Sequence, residues 1–246
     1  MRFVSFVDQM ILCSMLLSPN TIDIWLLDLT RLRPQRSRFW AVLNVEEQAR
    51  ALRFHFEHDQ VRYTICRGAM RLILAEYLGR DPSSLEFSQN NYGKPLLADV
   101  DLSFNLSHAG NYGMLGLSQL ATIGVDIEEQ RQLDDLAGIA QHYFAPSERQ
   151  AVLNADDQTA AFFRCWTRKE AYIKAHGMGL SLPLSSFAVS IEPEIAQALE
   201  WNRENTVAQW HVQPLSAPAG YAAALACPRS TEEIFVQQRE WLGLAE

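Results

Sequence analysis

The stretch L-A-T-I-G-V-D-I-E at residues 120–128 predicts a buried β-strand that ends in two carboxylates. An apolar run leads into it, and side chains alternate along a strand, so Asp126 and Glu128 share one face while Val125 and Ile127 share the other. At about 3.3 Å of rise per residue, the two acidic side chains are about 6.6 Å apart. Like charges so placed at the edge of a core repel each other unless a cation lies between them. The stretch therefore indicates a metal site.

A second stretch, W-T-R-K-E-A-Y-I-K at residues 166–174, predicts a helix with Glu170 and Lys174 one turn apart on the same face. A third carboxylate beside an amine suits an octahedral Mg²⁺ that holds a phosphate. We therefore expect Asp126, Glu128 and Glu170 to bind Mg²⁺, with Mn²⁺ as an alternative because both accept oxygen ligands. Taken singly, each residue also has an ordinary explanation without a metal. Asp126 and Glu128 could be solvated carboxylates, and Glu170 could form an exposed pair with Lys174 that contributes about 0.3–0.5 kcal/mol. Together the two stretches favour phosphoryl transfer from a diphosphate.

The composition excludes several classes of protein. The 246 residues are 48% hydrophobic and 20% charged, which suits one large or two small ordinary domains. A net charge of −8 argues against a general nucleic-acid binder. Four cysteines without a C-x-x-C pair argue against a zinc module and favour a reducing cytoplasm. The apolar run 10–17 is too short to span a bilayer, so no membrane association is expected and residues 1–19 are given no role.

Hydrophobic periodicity predicts alternating helices and strands. Helices are predicted at 45–56, 59–78, 133–143 and 159–175, with another beginning at Pro146. Strands are predicted at 21–29, 85–88, 104–106, 112–118, 122–128, 187–191, 208–214 and 221–227. Residues 31–38 are predicted to form a loop, and 112–118 is predicted to pair with 122–128 as a hairpin around Gln119. We expect an extension at 1–19, an N-terminal subdomain at 20–119 and a C-terminal subdomain at 120–246.

Five motifs in this order resemble those of the Sfp-type 4′-phosphopantetheinyl transferases, and the chain looks most similar to bacterial, including cyanobacterial, members. They are Y-G-K-P (92–95), F-N-L-S-H-A-G (104–110), G-V-D-I-E (124–128), F-x-x-x-E (144–148) and W-T-x-K-E-A-x-x-K (166–174). The resemblance implies an α+β fold of two similar subdomains related by a pseudo-twofold, with the active site in the cleft between them.

The resemblance also implies the reaction. The 4′-phosphopantetheine group of coenzyme A would pass to a serine of an apo acyl or peptidyl carrier protein, with Mg²⁺ required and 3′,5′-ADP released. The sequence does not specify the carrier, and we expect a cytoplasmic monomer. Two alternatives stay open: a metal-dependent phosphohydrolase that uses water, and a module that binds coenzyme A or a carrier protein without catalysis.

The same motifs suggest catalytic roles for three residues. Glu148 matches the acidic position of F-x-x-x-E and would be the general base for the serine hydroxyl. Lys174 would complement the diphosphate while Glu170 holds the metal. An acid in the first turn of a helix is the ordinary alternative for Glu148, and a metal alone could lower the pKa of the hydroxyl.

Five further residues would bind coenzyme A. The resemblance places Ser107 and His108 on its phosphates and Lys94 on the nucleotide. Arg50 and Arg62 lie on the two early helices where the family has basic residues for the 3′-phosphate. The chain departs from that pattern at Glu47, which stands where a basic residue is common.

Overall fold

The computed structural model describes residues 17–98, 100–192, 198–200, 210–230 and 232–244. Its helices are α1 (Leu29–Leu32), α2 (Arg36–Ala41), α3 (Val45–Leu52), α4 (Glu57–Leu78), α5 (Leu136–Tyr143), α6 (Pro146–Leu153) and α7 (Gln158–His176). Its strands are β1 (Thr21–Asp28), β2 (Phe87–Gln89), β3 (Pro95–Leu97), β4 (Ser103–Ala109), β5 (Tyr112–Ser118), β6 (Gly124–Glu129), β7 (Phe187–Val189), β8 (Ala198–Glu200), β9 (Trp210–Leu215), β10 (Tyr221–Pro228) and β11 (Phe235–Glu240).

The two halves of the chain repeat one topology. In the first sheet β5 lies between β1 and β4, and in the second β10 lies between β6 and β9, and these four pairs are antiparallel. In each half the first strand is followed by a long helix, a short strand pair and then a hairpin. This repeat confirms the predicted α+β fold of two similar subdomains and has the connectivity that a pseudo-twofold requires.

The core is arranged in four layers. Helix α4 covers one face of the first sheet, and α7 covers one face of the second. The two remaining faces pack against each other through a cluster that includes Ile22, Ile24, Val125, Ile127 and Leu225. Burial of this shared apolar face joins the halves and fixes their relative position.

The last described strand returns to the first sheet. Strand β11 pairs in parallel with β1, from Thr21 opposite Phe235 to Leu26 opposite Glu240. Its polar sequence gave no strand signal, because it is an edge strand whose side chains are mostly not buried. We keep 20–119 and 120–246 as the proposed subdomains, with β11 crossing between them. The predicted extension at 1–19 lies outside the described residues except for 17–19.

Two predictions about connections are wrong. Residues 31–38 are helical, because a 3₁₀ turn at Arg33–Gln35 joins α1 to α2. Pro34 fits there because its missing N–H is not needed in a first turn. Strands β5 and β6 do not form a hairpin but belong to different sheets. A local sequence reading cannot detect that the partner of β6 is β10, almost a hundred residues further on.

The described cysteines Cys66, Cys165 and Cys227 are buried and free, and burial raises the pKa of each thiol. Cys13 lies outside the described residues. None of the helices in the described ranges is long and apolar enough to cross a membrane.

Candidate active site between strand β6 and helix α7

Asp126 is the centre of the candidate site. Its side chain is 2% exposed, and Oδ1 accepts hydrogen bonds from Ser107 Oγ at 2.9 Å and from Lys174 Nζ at 2.5 Å. Its other oxygen, Oδ2, is buried and has no hydrogen-bond partner among the described residues. Burial raises the pKa of Asp126, and the charge of Lys174 opposes this effect. An unpaired buried carboxylate oxygen is costly unless a cation or donor reaches it.

Helix α7 lies very close to β6 because residue 124 is glycine. A Cβ at Gly124 would lie 2.1 Å from the carbonyl oxygen of Ala171 and 2.3 Å from the backbone nitrogen of Ala175. Both contacts are to helix backbone, which cannot move aside as a flexible side chain can. The absent side chain therefore lets α7 carry Glu170 and Lys174 up to Asp126.

Replacing Gly124 by alanine is expected to destabilise the protein by about 1–3 kcal/mol, the usual cost of overpacking a core. It should also reduce the expected phosphopantetheinyl transfer activity by more than the loss of stability explains, since α7 and its site residues must move away from β6. Urea unfolding and an activity assay on the same preparation test this. Gly93→Ala is a useful contrast, because no atom lies within 4 Å of a Cβ at that glycine and the only cost is the strain of its positive φ of 84°. It should therefore lower stability without moving α7 away from β6. Unchanged stability and activity in Gly124→Ala would contradict the role of close approach.

The three predicted metal ligands are electrostatically coupled. Burial raises the pKa of Glu128 to about 7, and the charges of Asp126 and Glu170 add to the shift. The pKa of Glu170 is raised by burial and then by Asp126. Three carboxylates whose pKa values are all raised by burial, two of them further by the charge of Asp126, have together with an unpaired Oδ2 the donor chemistry of a divalent cation site. In the part of the chain that the structure describes, no three acidic, His or Cys groups are arranged to hold a metal ion. The Lys174 ammonium lies on Asp126 instead.

Strand β4 directs its alternate side chains to two places. Asn105 Oδ1 accepts from the backbone nitrogen of Val125 at 2.8 Å, and Ser107 reaches Asp126, so these two side chains join β4 to β6. Leu106 and His108 point the other way and line a cavity. Burial by the surrounding protein lowers the pKa of His108, even though the imidazole ring is open to the cavity. The positive charges of Arg62 and Lys174 lower this pKa further. Ser107 thus faces the acidic cluster formed by Asp126, Glu128 and Glu170, whereas His108 faces the cavity.

The cavity has a volume of about 550 Å³ and is rich in arginine. Its wall includes the predicted residue Arg50, together with Arg53, Arg67, Tyr63 and Phe87. Arg67 is not among the predicted site residues. Tyr63, Arg67 and Arg71 form an i, i+4, i+8 polar stripe on a largely buried helix, and this signal could have identified it.

Arg62 lies apart from this cavity. It forms an ion pair with Asp59 and lines a smaller cavity of about 330 Å³ that also contains Arg33 and His58. Its charge still acts on His108. The structure therefore brings Arg50 and His108 together, and it places Arg62 nearby but outside their cavity.

Lys94 makes contacts that its predicted role did not foresee. Its ammonium donates to Thr122 Oγ1 at 2.6 Å, to the Ile123 carbonyl at 3.0 Å and to the Ala175 carbonyl at 3.3 Å. Burial lowers its pKa to about 8. An ammonium has three N–H donors, and these contacts use all of them. Lys94 thus ties the turn before β3 to the residues before β6 and to the end of α7, and its predicted contact with the nucleotide would require it to leave these partners.

Glu148 also differs from its predicted role. Oε1 accepts from the backbone nitrogen of Val189 at 2.7 Å, while Oε2 accepts from Ala145 N at 2.7 Å and from Lys169 Nζ at 2.8 Å. Lys169 is fully buried and donates as well to the carbonyls of Leu184 and Phe187. A general base needs a free oxygen directed at its substrate. The contacts of Glu148 instead fix α6, α7 and β7 together, so its role as general base stays a prediction that would require the ion pair with Lys169 to open.

Both halves of the chain are similar to known proteins. Residues 122–226 match the family model of the 4′-phosphopantetheinyl transferase superfamily, and residues 31–119 match that of the N-terminal 4′-phosphopantetheinyl transferase domain. The 4′-phosphopantetheinyl transferase HetI of Nostoc sp. is 33% identical over 213 residues, which are 84% of this chain and 87% of that protein. The 4′-phosphopantetheinyl transferase Sfp of Bacillus subtilis is 31% identical over 169 residues, 68% of this chain and 74% of that protein. Similarity of this extent over both halves shows that the chain belongs to the 4′-phosphopantetheinyl transferase family.

Proposed function

We propose that this chain transfers the 4′-phosphopantetheine group of coenzyme A to a serine of an apo acyl or peptidyl carrier protein and releases 3′,5′-ADP. One observation carries the proposal. Asp126 of β6, Lys174 of α7 and Ser107 of β4 converge within hydrogen-bond distance, and β4 also borders the arginine-rich cavity through Leu106 and His108. An acidic cluster beside a basic cavity suits a substrate with a reacting diphosphate and a second anionic group.

The acidic cluster is the proposed Mg²⁺ site. Asp126, Glu128 and Glu170 would hold the ion, and the unpaired Oδ2 of Asp126 supports this assignment. When bound, the ion supplies positive charge that neutralises the diphosphate in the transition state. Mn²⁺ could replace it, because both ions accept oxygen ligands.

The basic and polar groups would position coenzyme A. Lys174 Nζ donates to Ser107 Oγ at 2.9 Å, so the two side chains can bind one diphosphate together. His108 would approach the same phosphates from the cavity, and Arg50 would bind the nucleotide end. The serine oxygen then forms a bond to the phosphorus that carries pantetheine, the P–O bond to the leaving 3′,5′-ADP breaks, and the hydroxyl proton passes to water. Positioning and charge neutralisation would supply most of the acceleration.

The test is the intact mass of an apo acyl carrier protein incubated with the purified chain, coenzyme A and Mg²⁺. We expect a gain of one phosphopantetheine unit, complete loss of this gain with EDTA, and its return when excess Mg²⁺ or Mn²⁺ is added. Light scattering of the same preparation should show a monomer.

The other outcomes separate the competing functions. Cleavage of coenzyme A without a modified protein would indicate a hydrolase. Binding of coenzyme A without transfer to acyl or peptidyl carriers would indicate a binding module. Full transfer in EDTA would contradict the metal site while leaving the reaction in place.

A further inference from the structure

The turn between β2 and β3, residues 90–94, reaches across to the C-terminal end of α7. This turn belongs to the first half of the chain, whereas α7 belongs to the second. Asn90 Nδ2 donates to the carbonyl of Gly177 at 2.9 Å, and Lys94 Nζ donates to the carbonyl of Ala175 at 3.3 Å. The last four carbonyls of a helix have no partner within the helix, so they require donors from outside it. Two side chains of the turn supply such donors to the end of α7.

Asn90 also determines the shape of the turn. Its Oδ1 accepts from the backbone nitrogens of Tyr92 and Lys94, both at 2.9 Å. The amide nitrogen of the same side chain bonds to Gly177, where a glycine with a φ of +80° ends the helix. A Cβ at Gly177 would lie 3.1 Å from Asn90 Nδ2 and 3.5 Å from Lys94 Cδ. One side chain therefore fixes both the conformation of the turn and its close contact with α7.

The ammonium of Lys94 is held by oxygen acceptors and not by a carboxylate. Burial lowers its pKa to about 8, and no charged group among the described residues offsets this effect. An apolar side chain would avoid this desolvation cost, so the amine is explained by the hydrogen bonds that it donates. Two of its acceptors are themselves joined, since Thr122 Oγ1 donates to the Ala175 carbonyl at 2.6 Å. With the Ile123 carbonyl as third acceptor, Lys94 connects the end of α7 to the residues before β6.

The end of α7 that receives these bonds lies next to the candidate site. Ala175 directly follows Lys174, whose Nζ donates to Asp126 Oδ1. The backbone nitrogen of Ala175 is also one of the atoms that a Cβ at Gly124 would meet, so the helix makes its closest approach to β6 at this point. The turn, Lys174 and Glu170 line one cavity of about 290 Å³. Holding α7 at this end therefore sets the distance of its site residues from β6.

We propose that Asn90 and Lys94 are positioning residues, which hold the last turn of α7 so that Lys174 and Glu170 meet β6 in the reactive arrangement. Their effect on the rate rests on the proposed function, whereas their effect on α7 does not. This role differs from the predicted nucleotide contact of Lys94. An ammonium has three N–H donors, and it cannot keep three acceptors within the protein and also bind a nucleotide.

The first test is Lys94→Met in the full chain, which keeps an unbranched side chain and removes the donors. At saturating coenzyme A and well below the melting temperature, kcat should fall about 10-fold or more, since a misplacement of about 1 Å can cost about 10²-fold in rate. The affinity for 3′,5′-ADP, measured by calorimetry, should stay within about 3-fold, because the loss is in the chemical step. A nucleotide contact predicts the opposite, weaker binding of 3′,5′-ADP with little change in kcat. That result in a folded Lys94→Met protein would overturn the inference.

Two further variants test the same contacts without changing Lys94. Thr122→Val removes the hydroxyl between Lys94 and Ala175 and should lower kcat about 3-fold, as for one lost neutral hydrogen bond. Added to Lys94→Met it should have little further effect, because both changes break the same contact. Asn90→Ala should lower kcat as well. Asn91→Ala is the matched control at an exposed neighbour and should behave as the wild type. A folded Asn90→Ala protein with the wild-type kcat would overturn the role of the turn.

Amide hydrogen exchange tests the held helix end without any turnover. In Lys94→Met, exchange should become faster in the last turn of α7, residues 171–177, and stay unchanged in α4, because only a local contact is lost. A wild type that transfers to no carrier would contradict the proposed function, while this local change in the variant would still support the contact of the turn with α7. Exchange that becomes faster throughout the protein, or that does not change in α7, would overturn the inference and leave the proposed function intact.

Discussion

Replacing Asp126 by asparagine is expected to reduce transfer by about 100-fold or more. Asp126 is the most buried of the three carboxylates and the one that contacts both Ser107 and Lys174. Asparagine keeps the shape and can still accept both hydrogen bonds through its amide oxygen, but it removes the negative charge that a divalent cation needs. Loss of a single group that stabilises charge in a transition state commonly costs 10²–10³-fold in rate.

The variant should fold, which makes the measurement decisive. Burial disfavours the ionised form of Asp126, so the neutral amide removes a desolvation cost while it weakens the contact with Lys174. We expect a melting temperature close to that of the wild type and a large loss of kcat in the intact-mass assay. Asp134→Asn, the same change at an exposed residue, should behave as the wild type in both measurements. Near-normal transfer by a folded Asp126→Asn protein would refute the proposed metal site.

The sequence was sufficient for those parts of the site that depend on local periodicity. Strand alternation correctly placed Val125 and Ile127 on one face of β6, which lies in the core between the sheets. Helical spacing placed Lys174 one turn from Glu170 on the side that meets β6. These relations follow from fixed backbone geometry and do not depend on distant parts of the chain.

The features that the sequence could not predict depend on long-range contacts. A motif identifies Glu148, but it cannot show that a backbone nitrogen forty-one residues later, in Val189, uses one of its oxygens. It likewise cannot show that the Lys94 ammonium bonds to a carbonyl at the end of α7. Tertiary packing determines the pairing of β6 with β10 and of β1 with β11, and hydrophobic periodicity carries no information about such long-range pairs. The predicted strand at 208–214 is described only from residue 210.

Lys169→Met is expected to destabilise the protein by about 3–5 kcal/mol, the usual cost of removing one member of a buried ion pair. Glu148 is 2% exposed and Lys169 fully buried, so water cannot replace the missing partner. Removing the ammonium leaves a buried carboxylate with two backbone donors and no counter-charge, and it leaves the carbonyls of Leu184 and Phe187 without their bond to Lys169. Denaturant unfolding with linear extrapolation gives the free energy directly.

Glu148→Gln decides between a structural residue and a general base. If Glu148 acts only through its ion pair with Lys169, the free energy of unfolding of the Glu148→Gln variant should fall by several kcal/mol. The kcat per folded molecule should then stay near the wild-type value at low temperature. If Glu148 is the general base, the reverse is expected, a large fall in kcat with little change in stability.

The double variant Glu148→Gln, Lys169→Met should be more stable than the sum of the single effects predicts, because neither charge is then left buried alone. The exposed pair of Arg31 and Glu240 provides the contrast, since Glu240→Gln should change stability by less than about 1 kcal/mol. If Glu148→Gln abolishes kcat in a protein of normal stability, Glu148 must be able to reach the substrate, and the buried ion pair would then have to open during the reaction.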